Sequence, residues 1–101
     1  MMNRKLNTKK NGESWIIEII KSVFKKGIEV SSQQKSSVIR KDICNAIILF
    51  NEYGNRDSRF GWEVDHINPV ANNGSDELDN LQPLQWKNNL EKGNQLNWKC
   101  Y

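Results

Sequence analysis

The stretch that decides the fold is residues 61–94, which read GWEVDHINPVANNGSDELDNLQPLQWKNNLEKGN. A short apolar alternation that begins at Trp62 predicts a β-strand, and Pro69 ends it because proline supplies no donor to a strand ladder. The strand therefore ends at the pair Asp65-His66. His66 is the only histidine in the 101 residues, so any imidazole chemistry falls on it alone.

The loop after this strand and the helix that follows it are predicted from composition. Residues 71–80 are rich in Asn, Gly, Ser and Asp, which predicts an irregular loop in which Gly74 is available for a positive φ. A second short apolar piece at 81–84 runs into a helix over 86–92 that Gly93 ends.

The first half of the chain contains the clearest helical pattern. Residues 13–27 predict an amphipathic helix that ends at Gly27, and Trp15 and Phe24 are candidate core residues. A core-facing helix is the favoured interpretation, and a basic helix on a membrane surface is the alternative. The apolar positions at helical spacing are Ile16, Ile19, Ile20, Val23 and Phe24.

The segment between this helix and the strand that begins at Trp62 is less regular. Residues 31–37 are predicted to form a polar connecting loop. Residues 38–50 are predicted to form a hairpin of two strands, 38–40 and 46–50, although the same residues also fit a helix. Residues 51–59 have the composition of a turn around Gly54.

Length and cysteine usage bound the fold. One small domain fits into 101 residues, and a second core does not. Cys44 and Cys100 are too few for a disulfide framework and lack zinc-ligand spacing, so we expect two reduced cysteines and no structural zinc. The apolar clusters are too short to span a bilayer, so we expect a soluble, cytoplasmic protein with no membrane partner.

Charge is distributed unevenly along the chain. Residues 1–41 contain ten Lys and Arg against three Asp and Glu, whereas residues 42–101 contain five against nine. A basic half can contact phosphates while the carboxylates of an acidic half hold a cation. For residues 1–10 alone, a tail that only keeps the protein soluble is an equal alternative.

A specific motif lies in the second half. Asp65-His66 is followed by Asn80 fourteen residues after the histidine, by Asn89 nine residues later, and then by Lys92. This set resembles the HNH endonuclease family, or ββα-metal finger superfamily, in the variant whose third position is Asn. Residues 40–42 and 53–55 are also similar to the lead-in of short phage and bacterial members.

The resemblance implies a fold class and a domain organisation. The fold is α+β, with a ββα-metal core over about residues 60–94 behind an N-terminal amphipathic helix and a lead-in hairpin. The chain then divides into a basic flexible arm, residues 1–12, and a single nuclease domain, residues 13–101.

The resemblance also implies a role for each motif residue. His66 is the general base, because a neutral imidazole takes a proton from water near neutral pH. Asp65 and Asn89 supply oxygen ligands that suit one Mg²⁺ or Mn²⁺ ion. Asn80 holds the loop beside the His66 strand as part of the catalytic set, and Lys92 binds a phosphate as a mobile charge.

The implied function is hydrolysis of DNA by one divalent metal ion and a histidine base. Two alternatives stay open: a DNA-binding accessory module in a phage or restriction complex, and a ribonuclease or toxin of the same superfamily. A homodimer would be needed for a double-strand break. The expected nucleic-acid-binding residues are Arg56, Arg59, Lys87 and Lys92.

Overall fold

The computed structural model describes residues 4–31 and 37–100. Residues 1–3 of the predicted arm, residues 32–36 of the predicted loop and residue 101 lie outside this description. Within it, no helix has the length and apolar character needed to cross a membrane. The elements in chain order are α1 (Ile17–Phe24), β1 (Ile39–Lys41), β2 (Ile47–Leu49), β3 (Trp62–His66), β4 (Leu81–Gln85) and α2 (Trp86–Lys92).

Strands β3 and β4 form an antiparallel pair that leads directly into α2. In its register, Trp62 lies opposite Gln85 and His66 lies opposite Leu81. The side-chain oxygen of Gln85 accepts hydrogen bonds from the amides of Lys87 and Asn88 at 2.8 and 3.3 Å, so it caps the start of α2. The predicted strand, second apolar piece and helix are therefore present in the predicted order.

The core lies between α1 and the two strand pairs. Trp62 is fully buried, and its ring is 5.1 Å from that of Phe24 and 5.0 Å from that of Tyr53, measured between centroids. The α+β class and the core positions of Trp15 and Phe24 are confirmed. The buried core residues are Trp15, Ile20, Val23, Phe24, Ile48, Trp62, Val64 and Leu81.

Helix α1 is shorter than the predicted helix over residues 13–27. Ile16 has extended backbone angles, φ −77° and ψ 156°, and precedes the first helical residue. Trp15 is buried in the core from this extended segment, which explains why the helix begins only at residue 17. At the other end, Lys26 donates hydrogen bonds to the carbonyls of Leu78 and Leu81, which ties the end of α1 to β4.

Strands β1 and β2 form the lead-in hairpin, so the hairpin interpretation of residues 38–50 is confirmed and the helical one is wrong. Its turn depends on Asp42, whose side chain is buried. One carboxylate oxygen accepts from the amides of Cys44 and Ala46 at 2.9 and 3.0 Å. The other accepts from the Gln85 amide and the Asn88 side chain, each at 2.9 Å, and so joins the hairpin to α2.

The substitution Asp42→Asn is expected to lower the free energy of unfolding by about 2–3 kcal/mol, because an amide nitrogen would replace an oxygen that accepts two buried hydrogen bonds. Urea denaturation measures the change. The exposed Asp57 gives the control, since Asp57→Asn should change stability by less than about 0.5 kcal/mol. Equal stability of the two variants would contradict this role.

The expectation of two reduced cysteines is wrong, because Cys44 and Cys100 form a disulfide across 56 residues of sequence. Cys44 lies in the turn of the lead-in hairpin and Cys100 near the end of the chain, and their Cα atoms are 5.5 Å apart. The spacing of the two cysteines in sequence carries no sign of this pairing, because only the folded path of the chain brings them together.

The loop between β3 and β4 contains short 3-10 turns at Val70–Asn72 and Leu78–Asn80. Gly74 does not use the positive φ that was open to it, and its neighbour Asn73 has the left-handed conformation instead, with φ 64°. Gly74 is needed for a different reason: a Cβ atom there would lie 1.7 Å from the carbonyl oxygen of Asn68. The loop therefore folds back tightly on the segment that follows β3.

Candidate active site

A small pocket lies where β3 ends beside α2. Asp65 and His66 line it from the strand and Asn89 lines it from the helix, together with Arg4 and Asn7 from the N-terminal segment. The structure thus brings together the two predicted metal ligands and the predicted base. The sequence pattern gave no sign of the two N-terminal residues.

The pleat of β3 determines which side chains face α2. Alternate strand residues point to opposite faces, so Glu63 and Asp65 share one face while Trp62 and Val64 enter the core. On α2, Asn89 and Lys92 are three apart and face the same strand. The two pairs meet: the Asn89 side-chain nitrogen is 2.9 Å from the Glu63 carboxylate, and the Lys92 ammonium is 3.3 Å from the Asp65 carboxylate.

Only the nitrogen of the Asn89 side-chain amide is hydrogen-bonded to a described residue. Its nitrogen donates to the Glu63 carboxylate at 2.9 Å, and Glu63 in turn accepts two hydrogen bonds from Arg56 at 2.9 and 3.0 Å. The Asn89 side-chain oxygen is buried and has no hydrogen-bond partner among the described residues. A buried polar oxygen without a partner is costly, so this atom fits a ligand for a cation.

Asp65 is the second oxygen donor of the pocket. Its side chain is buried, accepts a hydrogen bond from Gln82 at 2.9 Å and lies 3.3 Å from the Lys92 ammonium. Burial raises the pKa of Asp65, and the hydrogen bond from Gln82 and the charge of Lys92 offset that rise only in part. A bound cation would offset the cost of burying the ionised Asp65 carboxylate.

Lys92 is buried and has two partners. Its side chain is 4% exposed, and the ammonium donates to the His66 carbonyl oxygen at 2.9 Å and lies beside Asp65. A buried cation with two partners is held in place and does not present the mobile charge that the sequence suggested. Lys92 instead links α2 to the end of β3.

The imidazole of His66 is held on two sides. Its ring centroid is 5.6 Å from that of Trp15, and its Nε2 atom is 2.8 Å from a carboxylate oxygen of Asp76. Burial alone would raise the pKa of Asp76, but hydrogen bonds from His66 and the Lys10 amide outweigh it and lower the pKa. An ionised Asp76 only accepts hydrogen bonds, so Nε2 carries the ring hydrogen.

Asn80 joins the two ends of the loop rather than entering the pocket. Its side-chain oxygen accepts from the Asn68 amide at 2.9 Å, and its nitrogen donates to the carbonyls of Asn68 and Ser75 at 3.1 and 2.8 Å. Its backbone carbonyl accepts from the Ile67 amide at 2.8 Å. These four bonds fix the chain immediately after His66.

The predicted nucleic-acid-binding cations other than Lys92 are exposed on one surface. The charged groups of Arg56 and Lys87 lie 5.9 and 5.5 Å from the ring centroid of Trp86. Arg59 lies 5.3 Å from the Phe60 ring and lines a shallow depression together with Lys87. Arg56 connects this surface to the pocket through Glu63 and Asn89.

Several site residues could not be found from the sequence. Asp76 lies in an irregular loop, ten residues after His66, where acidic residues are ordinary. Arg4, Asn7 and Lys10 belong to a segment distant in sequence and without periodicity. Among the described residues, no cluster of three or more His, Cys, Asp or Glu could hold a metal ion. The candidate ligands for a cation in the pocket are the Asp65 carboxylate and the Asn89 amide oxygen.

Together, the fold and the site define a small α+β protein in which a strand pair and the helix after it hold a buried polar pocket. Residues 54–95 match the family model for HNH endonuclease. The resemblance is thereby confirmed for this segment, which is similar to HNH endonucleases, a family whose members act generally as nucleases. The chain has no significant match among curated proteins or among solved structures.

Proposed function

We propose that this protein is a DNA endonuclease that hydrolyses phosphodiester bonds with one divalent metal ion and His66 as general base. The observation that carries the proposal is the convergence of Asp65, His66 and Asn89 on one pocket, with the Asn89 oxygen buried and unpartnered in the described structure. A protein that kept this segment only as a scaffold would have no need for that costly oxygen.

Asp65 and Asn89 are the residues that would hold the ion. Both supply hard oxygen atoms, which suits Mg²⁺ or Mn²⁺ rather than zinc. When bound, the ion would supply positive charge to the phosphate and leaving-group oxygens. Glu63 keeps the Asn89 oxygen directed away from itself, because a carboxylate binds the amide through the nitrogen.

His66 is the residue that would take the proton from the attacking water. With Nε2 bonded to Asp76, the second ring nitrogen is the one left to accept it. Trp15 and Asp76 hold the imidazole ring, so the ring is already oriented before the substrate binds. Asn80 and Lys92 fix the backbone around it, as positioning residues that do not touch the substrate.

Positive charge for the substrate comes from two places. Arg4 lines the pocket itself and would take the phosphate-binding role that the sequence suggested for Lys92. Arg56, Arg59 and Lys87 are exposed on the surface that Arg56 connects to the pocket, and they would contact the backbone of a bound nucleic acid, which fixes its register without reading its sequence.

A plasmid assay tests the proposal. Supercoiled DNA is incubated with the protein in Mg²⁺, Mn²⁺, Ca²⁺ or Zn²⁺, and nicked and linear products are scored. We expect nicking in Mg²⁺ and Mn²⁺, little in Zn²⁺ and none in EDTA. One monomer carries one proposed active site. Linear product that rises with the square of protein concentration would therefore indicate a dimer. Binding of DNA without cleavage in every metal would support the accessory module, and cleavage of RNA alone would support the ribonuclease.

The affinity for Mn²⁺ is expected to fall as the pH is lowered from neutrality, because a proton competes with the ion for Asp65. Burial raises the pKa of Asp65, so this loss should begin at a higher pH than for an ordinary aspartate. Calorimetric titration at several pH values measures it. The variant Asp65→Asn should bind weakly at every pH, whereas Asp57→Asn should match the unmodified protein. A pH-independent affinity in the unmodified protein would contradict the assignment of Asp65.

A further inference from the structure

We propose that Asp76 is a positioning residue for His66 and that the N-terminal segment of residues 4–10 holds Asp76 in place. The segment is then part of the active site and not a separate basic tail. The catalytic consequence of this inference rests on the function proposed above, while its structural content does not.

The contact between Asp76 and His66 selects one form of the imidazole. The Asp76 oxygen is 2.8 Å from Nε2, and the histidine side chain is 3% exposed while that of Asp76 is 32% exposed. A carboxylate only accepts, so the neutral ring carries its hydrogen on Nε2 and its lone pair on Nδ1. His66 lines the pocket, and no described residue forms a hydrogen bond with Nδ1, so Nδ1 is the nitrogen that would accept from a substrate water.

Lys10 holds Asp76 from the other side. Its backbone amide donates to both carboxylate oxygens, at 3.0 and 3.2 Å, and its ammonium donates to the side chain of Asn73 at 3.2 Å. Since Asp76 lies on an irregular loop, these bonds and the bond to His66 are what fix its carboxylate. The hydrogen bonds from the Lys10 amide depend on the path of the backbone and not on the Lys10 side chain.

Asn7 anchors the same segment to β3. Its side-chain oxygen accepts from the Val64 amide and from the Tyr53 hydroxyl, each at 2.8 Å. Asn7 has a left-handed backbone, φ 63°, which asparagine tolerates better than most residues. The segment is therefore attached to the strand on one side of the pocket and to the loop on the other, and Arg4 lies in the pocket beside them.

The first test uses the fact that the chain has a single histidine. Selective ¹⁵N labelling of histidine gives one ring, whose nitrogen shifts distinguish the two neutral tautomers. In EDTA and at alkaline pH, we expect the Nε2–H form in the unmodified protein and a mixture of forms in Asp76→Ala. The exposed Asp79 of the same loop supplies the control, and Asp79→Ala should leave the tautomer unchanged.

Two changes at residue 10 separate the backbone clamp from the side chain. Gly12 donates to the Lys9 carbonyl at 2.8 Å, which places Lys10 at the second position of a turn, where proline fits. Lys10→Pro removes the amide donor, whereas Lys10→Ala removes only the ammonium. We expect a change of tautomer population in the first and not in the second. This pair also serves if Asp76→Ala does not fold.

Activity provides the second readout. Losing the carboxylate partner of a functional imidazole is expected to lower kcat by about 10- to 100-fold, with an unchanged KM for DNA. An unmodified protein that does not cleave, combined with the expected tautomer change, would refute the proposed nuclease function and leave the positioning contact intact. An Nδ1–H ring in the unmodified protein, or the same tautomer in all variants, would overturn the inference.

Discussion

The substitution His66→Ala is expected to lower the rate of DNA cleavage by about 10²- to 10⁴-fold, the usual contribution of a general base. Asp65 and Asn89 remain in place in this variant, so binding of Mn²⁺ and of DNA should change little. The loss should therefore fall on kcat. Plasmid nicking measured under saturating metal and DNA gives the rate.

The neighbouring Ile67 provides the matched control for this variant. It is exposed, lies outside the pocket, and contributes its amide to the bond with Asn80, which a side-chain change leaves intact. Ile67→Ala should cleave at the unmodified rate. Cleavage that persists at full rate in His66→Ala, with a folded protein and in the same metal, would remove His66 as the base.

The substitution Lys92→Met is expected to lower the free energy of unfolding by about 3–5 kcal/mol, because it removes one partner of a buried charge pair and leaves the Asp65 carboxylate without it. Methionine fills most of the same volume, so the loss reports the ammonium rather than a cavity. Urea denaturation in EDTA measures it.

The exposed Lys87, five residues earlier on α2, separates stability from DNA binding. Lys87→Met should weaken DNA binding with a change in stability of less than about 0.5 kcal/mol. If Lys92→Met instead kept full stability and lost DNA affinity as Lys87→Met does, Lys92 would be the mobile phosphate-binding charge that the sequence suggested.

Much of the site could be predicted because its residues lie on elements with a local signal. The strand that ends at His66 and the helix that carries Asn89 follow from apolar alternation, from Pro69 and from Gly93. The spacing of the motif then predicts that the strand and the helix contribute to one site. Residues 54–95, which match the HNH endonuclease family, include every motif position.

What the sequence could not provide are contacts between distant segments. The sequence does not distinguish Lys92 from a surface lysine, because nothing in it shows that the ammonium faces the Asp65 carboxylate. The bonds of Asp76 to His66 and Lys10 span 10 and 66 residues, and no periodicity marks either. The disulfide of Cys44 is of the same kind, because it depends on where the C-terminus returns.

The most direct measurement of the central claim is paramagnetic broadening by Mn²⁺ in NMR spectra of the labelled protein. At substoichiometric Mn²⁺, the His66 ring and the Asn89 side-chain amide are predicted to lose intensity first, while the Trp86 indole keeps its signal. In Asn89→Ala this selective broadening of His66 should require much more Mn²⁺. Broadening that begins elsewhere, or that is unchanged in Asn89→Ala, would contradict a cation site between β3 and α2.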